Sequence, residues 1–158
     1  MSGQYLTFQL AGDEYAFGIL KVKEILEYDT ITRVPNAPPA IRGVINLRGT
    51  VVPVVDLAVR FGLPATPVTR RTCIVIVEVR ADGVDLVMGV LADAVSQVMD
   101  LADADIEPPP PFGARVRVDY LLGMGKIDKR FILILDIDRL LRGLDIPEAA
   151  LEGASSDA

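Results

Sequence analysis

Apolar and polar positions alternate with a period of two along much of this chain, the pattern of strands with one face turned inward. Tyr5-Leu6-Thr7-Phe8-Gln9-Leu10 alternates, "AGDEY" supplies turn chemistry, and "YAFGILKVKEIL" follows as a second extended run. Residues 5–26 are therefore expected to form a hairpin. In "TRVPNAPPAIRGV" three prolines forbid a long helix and leave room for a loop and a short helical turn. "INLRGTVVPVVDL" then places β-branched and aliphatic residues on both faces, as in a strand covered on both sides, with Arg48-Gly49 as the hinge of a tight strand pair. "DLAVRFG" reads as a short helix: Asp56 at the N-cap, Leu57 and Phe61 inward, Gly62 just past the end. "LPATPVTRR" is a proline-punctuated surface connection.

The pattern then restarts. "TCIVIVEVRADGVDLVMGVLADAVSQVM" is again two extended runs joined by an Ala-Asp-Gly turn, and "EPPPPF" is again a proline-rich crossover. "LLGMGKIDKRFILILDIDRLLRG" is again a strand pair ending in Asp, a short helix and Gly143. Gly18-Ile19-Leu20 matches Gly89-Val90-Leu91, Gly43 matches Gly123, and Val51 to Leu57 matches Phe131 to Ile137. This is an internal duplication, and it predicts an all-β fold with short helices: two small β-barrels, each built from two hairpins and a short helix. Curling shut solves the exposed-edge problem of short strands. The first barrel is expected at about 5–68 and the second at about 70–145, with strand exchange between them left open. Halves of this size are marginal alone, so they should share an aliphatic core. The tail 147–158, "PEAALEGASSDA", is small and polar and is expected to be flexible.

Composition narrows the chemistry. The 158 residues contain no histidine, one cysteine and no tryptophan, and the net charge is −6. Lack of histidine removes the commonest general base and metal ligand, and lone Cys73 excludes both an internal disulfide and a thiolate metal site. The acidic balance argues against a nucleic-acid binder. No window approaches the ~18 apolar residues of a membrane span, and the start lacks the pattern of a secretory signal, so a cytoplasmic domain without membrane insertion is expected.

Asp56 and Asp136 hold the same place in the two halves, each before a short helix. Their preferred reading is as structural N-caps; the alternative is the carboxylate pair of a hydrolase. Arg48 has no basic counterpart near Asp128, so it belongs to one half only, as a site residue would. It is either a solvated arginine at a hairpin tip or a seam residue paired with a carboxylate, for which Glu24 is the best candidate because Val22, Glu24 and Leu26 share a strand face. Val22, Val95 and Val98 fall beside the crossovers, where a groove between lobes would lie; each is a core residue or part of a partner surface. "LADADIE" lacks the ligand order of a calcium loop and is expected to be a solvated acidic loop, and 108–111, "PPPP", a rigid spacer.

The segments "FGILKVKEI", "IRGVINLRGTVVPVVDL" followed by "RFG", "VMGVLADAVSQV" and "YLLGMGKIDKRFILILDI" together resemble the CheW family of bacterial chemosensory coupling proteins, over residues 5 to about 142. The resemblance implies one CheW-like domain over 1–150, with two SH3-like five-stranded β-barrels in tandem around a shared hydrophobic core. It implies a non-enzymatic adaptor, without cofactor or metal, that couples the cytoplasmic tips of methyl-accepting chemoreceptors to the histidine kinase CheA and supports control of its autophosphorylation. The receptor tip would lie in the groove between lobes, and the regulatory domain of CheA would dock on the barrel ends. Glu24 and Arg48 match a functionally important pair in that family, Val22 and Val95 match groove valines, with Val98 added from the strand reading, and Gly43 is assigned to the kinase side. The chain is expected to be a monomer when isolated and recruited to membrane-associated arrays. A paralogous coupler serving twitching or a similar output is the alternative within the family.

Overall fold

The computed structural model describes residues 3–81, 83–108 and 120–142. Positions 109–111 of the proline spacer, and the tail at 147–158, lie outside the described residues.

The first half contributes β1 (Gly3–Leu10), β2 (Asp13–Gly18), β3 (Val22–Glu27), β4 (Ile41–Leu47), β5 (Thr50–Asp56) and helix α1 (Leu57–Arg60). The second contributes β6 (Cys73–Ala81), β7 (Val84–Ala92), β8 (Ala94–Leu101), β9 (Ile106–Glu107), β10 (Leu121–Ile127), β11 (Arg130–Leu135) and helix α2 (Ile137–Arg142). The chain is mostly strand, in two sheets ordered β8-β1-β2-β11-β10-β9 and β3-β6-β7-β5-β4.

Those orders mean that the halves have traded their first hairpins. β1-β2 joins the second half's strands through the parallel pairing of β2 with β11, and β6-β7 joins the first half's strands through the parallel pairing of β7 with β5. The expected division into barrels at 5–68 and 70–145 therefore does not describe sheet membership. The expected hairpin over 5–26 also needs correction. β2 ends at Gly18, and a 3-10 turn at Ile19–Lys21 carries the chain into β3 of the other sheet. A strand apolar on both faces carries no polar phase to mark where it changes sheet, which is why the break was not legible.

Each sheet closes in the same way. In the five-stranded sheet, the segment after β3 returns to the far edge, where Thr32 N–H donates to the Val44 carbonyl (2.9 Å) and Val44 N–H to that of Thr32 (2.8 Å). In the other, β9 follows β8 across a 3-10 turn at Asp103–Asp105 and pairs with β10. That turn splits one bent strand into two, which accounts for six strands where five were expected. Because both Val44 groups point to Thr32, Pro53 opposite it in β5 has no β4 carbonyl to serve, and β5 pairs with β7 only from Val54 onward, so a proline fits at this position.

The exchange explains the doubly apolar runs. In β6, Ile74 and Ile76 turn into the five-stranded barrel with Val52, Val54 and Leu91, while Val75, Val77 and Val79 turn to the core shared by the sheets. Period two thus sorts successive residues into two compartments, both dry. The shared core is where the traded hairpins face each other, with α1 and α2 contributing Leu57, Ala58, Leu140 and Leu141. As expected, this core is mainly aliphatic; three rings are set into it, Phe8, Tyr15 and Phe17, all fully buried, with the Phe8 and Phe17 ring centroids 5.1 Å apart. No described helix is long and apolar enough to cross a membrane.

A fragment ending at residue 68 would hold β1-β2 without the strands that the hairpin joins. Expressed alone, residues 1–68 should show no cooperative thermal transition by circular dichroism; a sharp, reversible melt would contradict the exchanged pairing.

Candidate functional site

The turn at Arg48-Gly49 joins β4 to β5, and both residues have positive φ, +50° and +87°. A two-residue hairpin requires this backbone for its strand twist, and glycine meets the requirement at the second position. Asn46 steadies the turn by accepting the Gly49 N–H at 2.7 Å. The turn lies at one edge of the five-stranded sheet, and Glu24 lies on β3 at the other. Curling brings them together: the Arg48 guanidinium donates through both terminal nitrogens to the two carboxylate oxygens of Glu24. The Arg48 side chain is 73% exposed and that of Glu24 30%. The hydrogen bond to Glu24, then its charge, hold the Arg48 pKa above the ordinary guanidinium value, so this cation persists across the physiological range.

The pair was expected at the seam between lobes. It instead spans the two edges of one barrel, on an open rim. Val22, Glu24 and Leu26 do share the inward-leaning face of β3, between exposed Lys23, Ile25 and Glu27. Val22 packs on the shared core and Leu26 on the barrel interior, so this strand links rim and core. Beside Val22 lies a groove of about 570 Å³ lined also by Leu20, Lys21 and Val79. Leu20, which sequence reading did not select, is 97% exposed. The doubly apolar pattern around it hid the fact that it sits on the turn between sheets.

The other two valines separate. Val95 packs against the shared core, whereas Val98 is 49% exposed on β8. Val95 pairs with Phe8 as Val22 pairs with Val77, each beside a register shift, so these two hold equivalent places on the two barrels. Val98, opposite Leu6, corresponds to exposed Ile25 opposite Val75. Gly43 is buried, with φ +153°, and a Cβ there would lie 2.2 Å from the Thr32 carbonyl oxygen. Its glycine identity is explained by this close approach, and a buried residue offers a kinase no direct contact; substitution would act by displacing residues 31–32. Gly123 repeats the role, its Cβ position 2.8 Å from the Glu107 carbonyl oxygen.

Asp56 and Asp136 repeat one backbone device. The Asp56 N–H donates to the Ala40 carbonyl (2.7 Å) and the Asp136 N–H to that of Tyr120 (2.8 Å). Both cap helices, Asp56 accepting from Ala58 N–H (3.1 Å) and Asp136 from Arg139 N–H (3.2 Å). Asp56 does more. It is 1% exposed, and its oxygens also accept from Thr66 N–H (2.8 Å), the Thr66 hydroxyl (2.7 Å) and Arg42 Nη1 (2.9 Å). A carboxylate so committed has no lone pair to spare for acid–base work, and the cavity it lines does not include Asp136. The two do not form a catalytic pair. Arg42 and Thr66 were missed: the adjacent Gly43 drew attention instead, and nothing in "LPATPV" announces a buried threonine.

Two further contacts join the halves. Lys21 Nζ lies 2.5 Å from Asp138 of α2, whose other oxygen accepts the Arg80 N–H at 2.9 Å. Arg60 donates to the Tyr120 hydroxyl (3.0 Å) and sits over its ring, 5.4 Å from the centroid. The acidic segment at 100–107 shows no metal-ligating group among the described residues.

Residues 4–145 match the family described as the CheW-like domain. The chain is 37% identical over 138 residues to the chemotaxis protein CheW of Klebsiella aerogenes, covering 87% of this chain and 81% of that one. It is 35% identical over 137 residues to CheW of Bacillus subtilis, covering 86% and 85%. Among solved structures, the scaffolding protein CheW of Thermoanaerobacter tengcongensis superposes with a TM-score of 0.79 at 34% identity, covering 89% of this chain and 88% of that one.

Asp56→Ala should cost about 3–5 kcal/mol, because it strands Arg42 and the Thr66 donors. Asp136→Ala, losing a cap alone, should cost about 0.5–2 kcal/mol. Urea denaturation of both variants measures the difference, and equal losses would refute the distinction. Gly43→Ala should likewise destabilise far more than Gly49→Ala, whose Cβ would meet open space.

Proposed function

The chain belongs to the CheW-like domain family, and we propose that it is the adaptor that couples the cytoplasmic tips of methyl-accepting chemoreceptors to the histidine kinase CheA. The observation that carries this reading is the correspondence of residues 4–145 with proteins named for chemotaxis, over most of their length as well as its own. The role is that of a scaffold, not an enzyme. It operates in the cytoplasm at membrane-associated arrays, through reversible protein contacts.

The proposed receptor face comprises Glu24, Arg48 and Val22, with Val95 and Val98 as lesser contributors. Two features support it. The Arg48–Glu24 pair is held on a rigid turn yet exposed, so it can be shared with a partner without unfolding anything. Beside it, Leu20 and Val22 offer apolar surface next to a groove, the composition expected of a helix-binding site. Gly43 supports the kinase side indirectly, by shaping the 31–43 corner. Mechanistically, the adaptor holds receptor and kinase in one relative arrangement, so that a small receptor shift biases the kinase equilibrium.

In a reconstituted assay of receptor, kinase and this chain, Arg48→Ala and Glu24→Lys should each lower receptor-dependent kinase activation by about 5-fold or more. Their melting temperatures should stay within about 2–4 °C of the parent. The exchanged pair Arg48→Glu with Glu24→Arg should keep the melting temperature without restoring activation, because the partner reads each charge in its place. Full activation by either single variant would remove this site from the account.

A further inference from the structure

We propose that the cavity beneath the proline-rich loop is a binding site for a carboxylate group. It encloses about 720 Å³ between residues 28–42, the start of α1 and Ala65, within the roughly 300–1,000 Å³ range of ligand pockets. Its wall is mainly apolar, and its charged residues are Arg33, Arg42 and Asp56. Two cations against one anion leave the lining at +1, on a chain whose net charge is −6.

The arrangement of those three groups is what selects an anion. All the hydrogen bonds to the Asp56 carboxylate come from inside the protein, so its charge is already opposed. Arg42 is clamped through one nitrogen, Nη1, which donates to Asp56 Oδ2 at 2.9 Å and to the Thr66 carbonyl at 3.1 Å. That clamp fixes the guanidinium plane and leaves Nε and Nη2 for a ligand. A planar fork held in place loses little freedom on binding, and its geometry matches a carboxylate. Arg33 supplies a second charge from the exposed rim.

The rim is also pre-formed. Pro35, Pro38 and Pro39 restrict the loop, the Ile41 N–H donates to the Pro38 carbonyl at 2.9 Å, and the Asp56 N–H ties Ala40 from below. Such a pocket can receive a free small carboxylate or the acidic side chain of a protein segment; the recognising chemistry is the same. The lining includes neither Arg48 nor Glu24 but shares the 31–43 corner with the proposed kinase side. Carboxylate binding by the chain alone is tested without receptor or kinase, so its failure leaves the coupling role standing.

Isothermal titration of the full chain with succinate, with its neutral analogue succinamide, with a short glutamate-rich peptide and with inorganic phosphate tests the assignment. Saturable binding of succinate or of the peptide is expected, with none of succinamide; which of the two binds identifies the source of the carboxylate. Arg33→Gln, which touches no buried hydrogen bond, should weaken binding about tenfold with the fold intact, and Arg42→Lys should do the same by removing the fork. Rising salt should weaken it further. No binding of either carboxylate, binding unchanged in Arg33→Gln, or binding of phosphate alone would overturn the proposal.

Discussion

Reciprocal exchange of the two leading hairpins is the constraint on which the rest of this structure depends. It places β1-β2 and β6-β7 each in a sheet completed by the other half, so that neither barrel exists without both halves. It also turns one face of each traded hairpin toward the other, making the shared core out of Leu6, Phe8 and Phe17 against Val75, Val77 and Val90. Two barrels of marginal size thereby become a single unit with one large core.

That construction frees the surface for binding. The interior alternation consumes the central strands, leaving turns and edge strands to carry charge and exposed apolar groups. Arg48 and Glu24 sit on such elements, as does Leu20 on the turn between sheets. The buried polar network at Asp56 does the opposite work, fixing α1, Thr66 and Arg42 to the end of β5. Exposed pairs can exchange partners at little cost, whereas buried ones hold geometry. The rim pair is therefore suited to reversible contact and the Asp56 network to shape.

Much of this was legible in the sequence, because duplication prints each local device twice. Asp56 and Asp136, and Gly43 and Gly123, recur at the same steps, and the structure gives each pair equivalent backbone roles. Arg48 stood out by lacking a counterpart, and its partner Glu24 followed from strand period. Sheet membership was not legible: a run such as "CIVIVEV" is apolar on both faces whichever barrel owns it, and parallel pairing of β2 with β11 leaves no local mark. Arg42 and Thr66 escaped because their importance comes from a carboxylate several residues away along the chain. The aliphatic character of the core was legible from composition, but the burial of Phe8, Tyr15 and Phe17 together within it was not, because a low aromatic fraction says nothing of where the few rings are placed.

The central claim is that partners engage the exposed rim of β3 and the 48–49 turn while the shared core stays closed. Amide hydrogen exchange of the full chain, alone and saturated with a chemoreceptor tip hairpin, tests it most directly. The account predicts slowed exchange confined to residues 20–26 and 46–50, with β6 and β7 equally protected in both states. Protection appearing elsewhere with none at that rim, or loss of protection in β6 and β7 on binding, would contradict it.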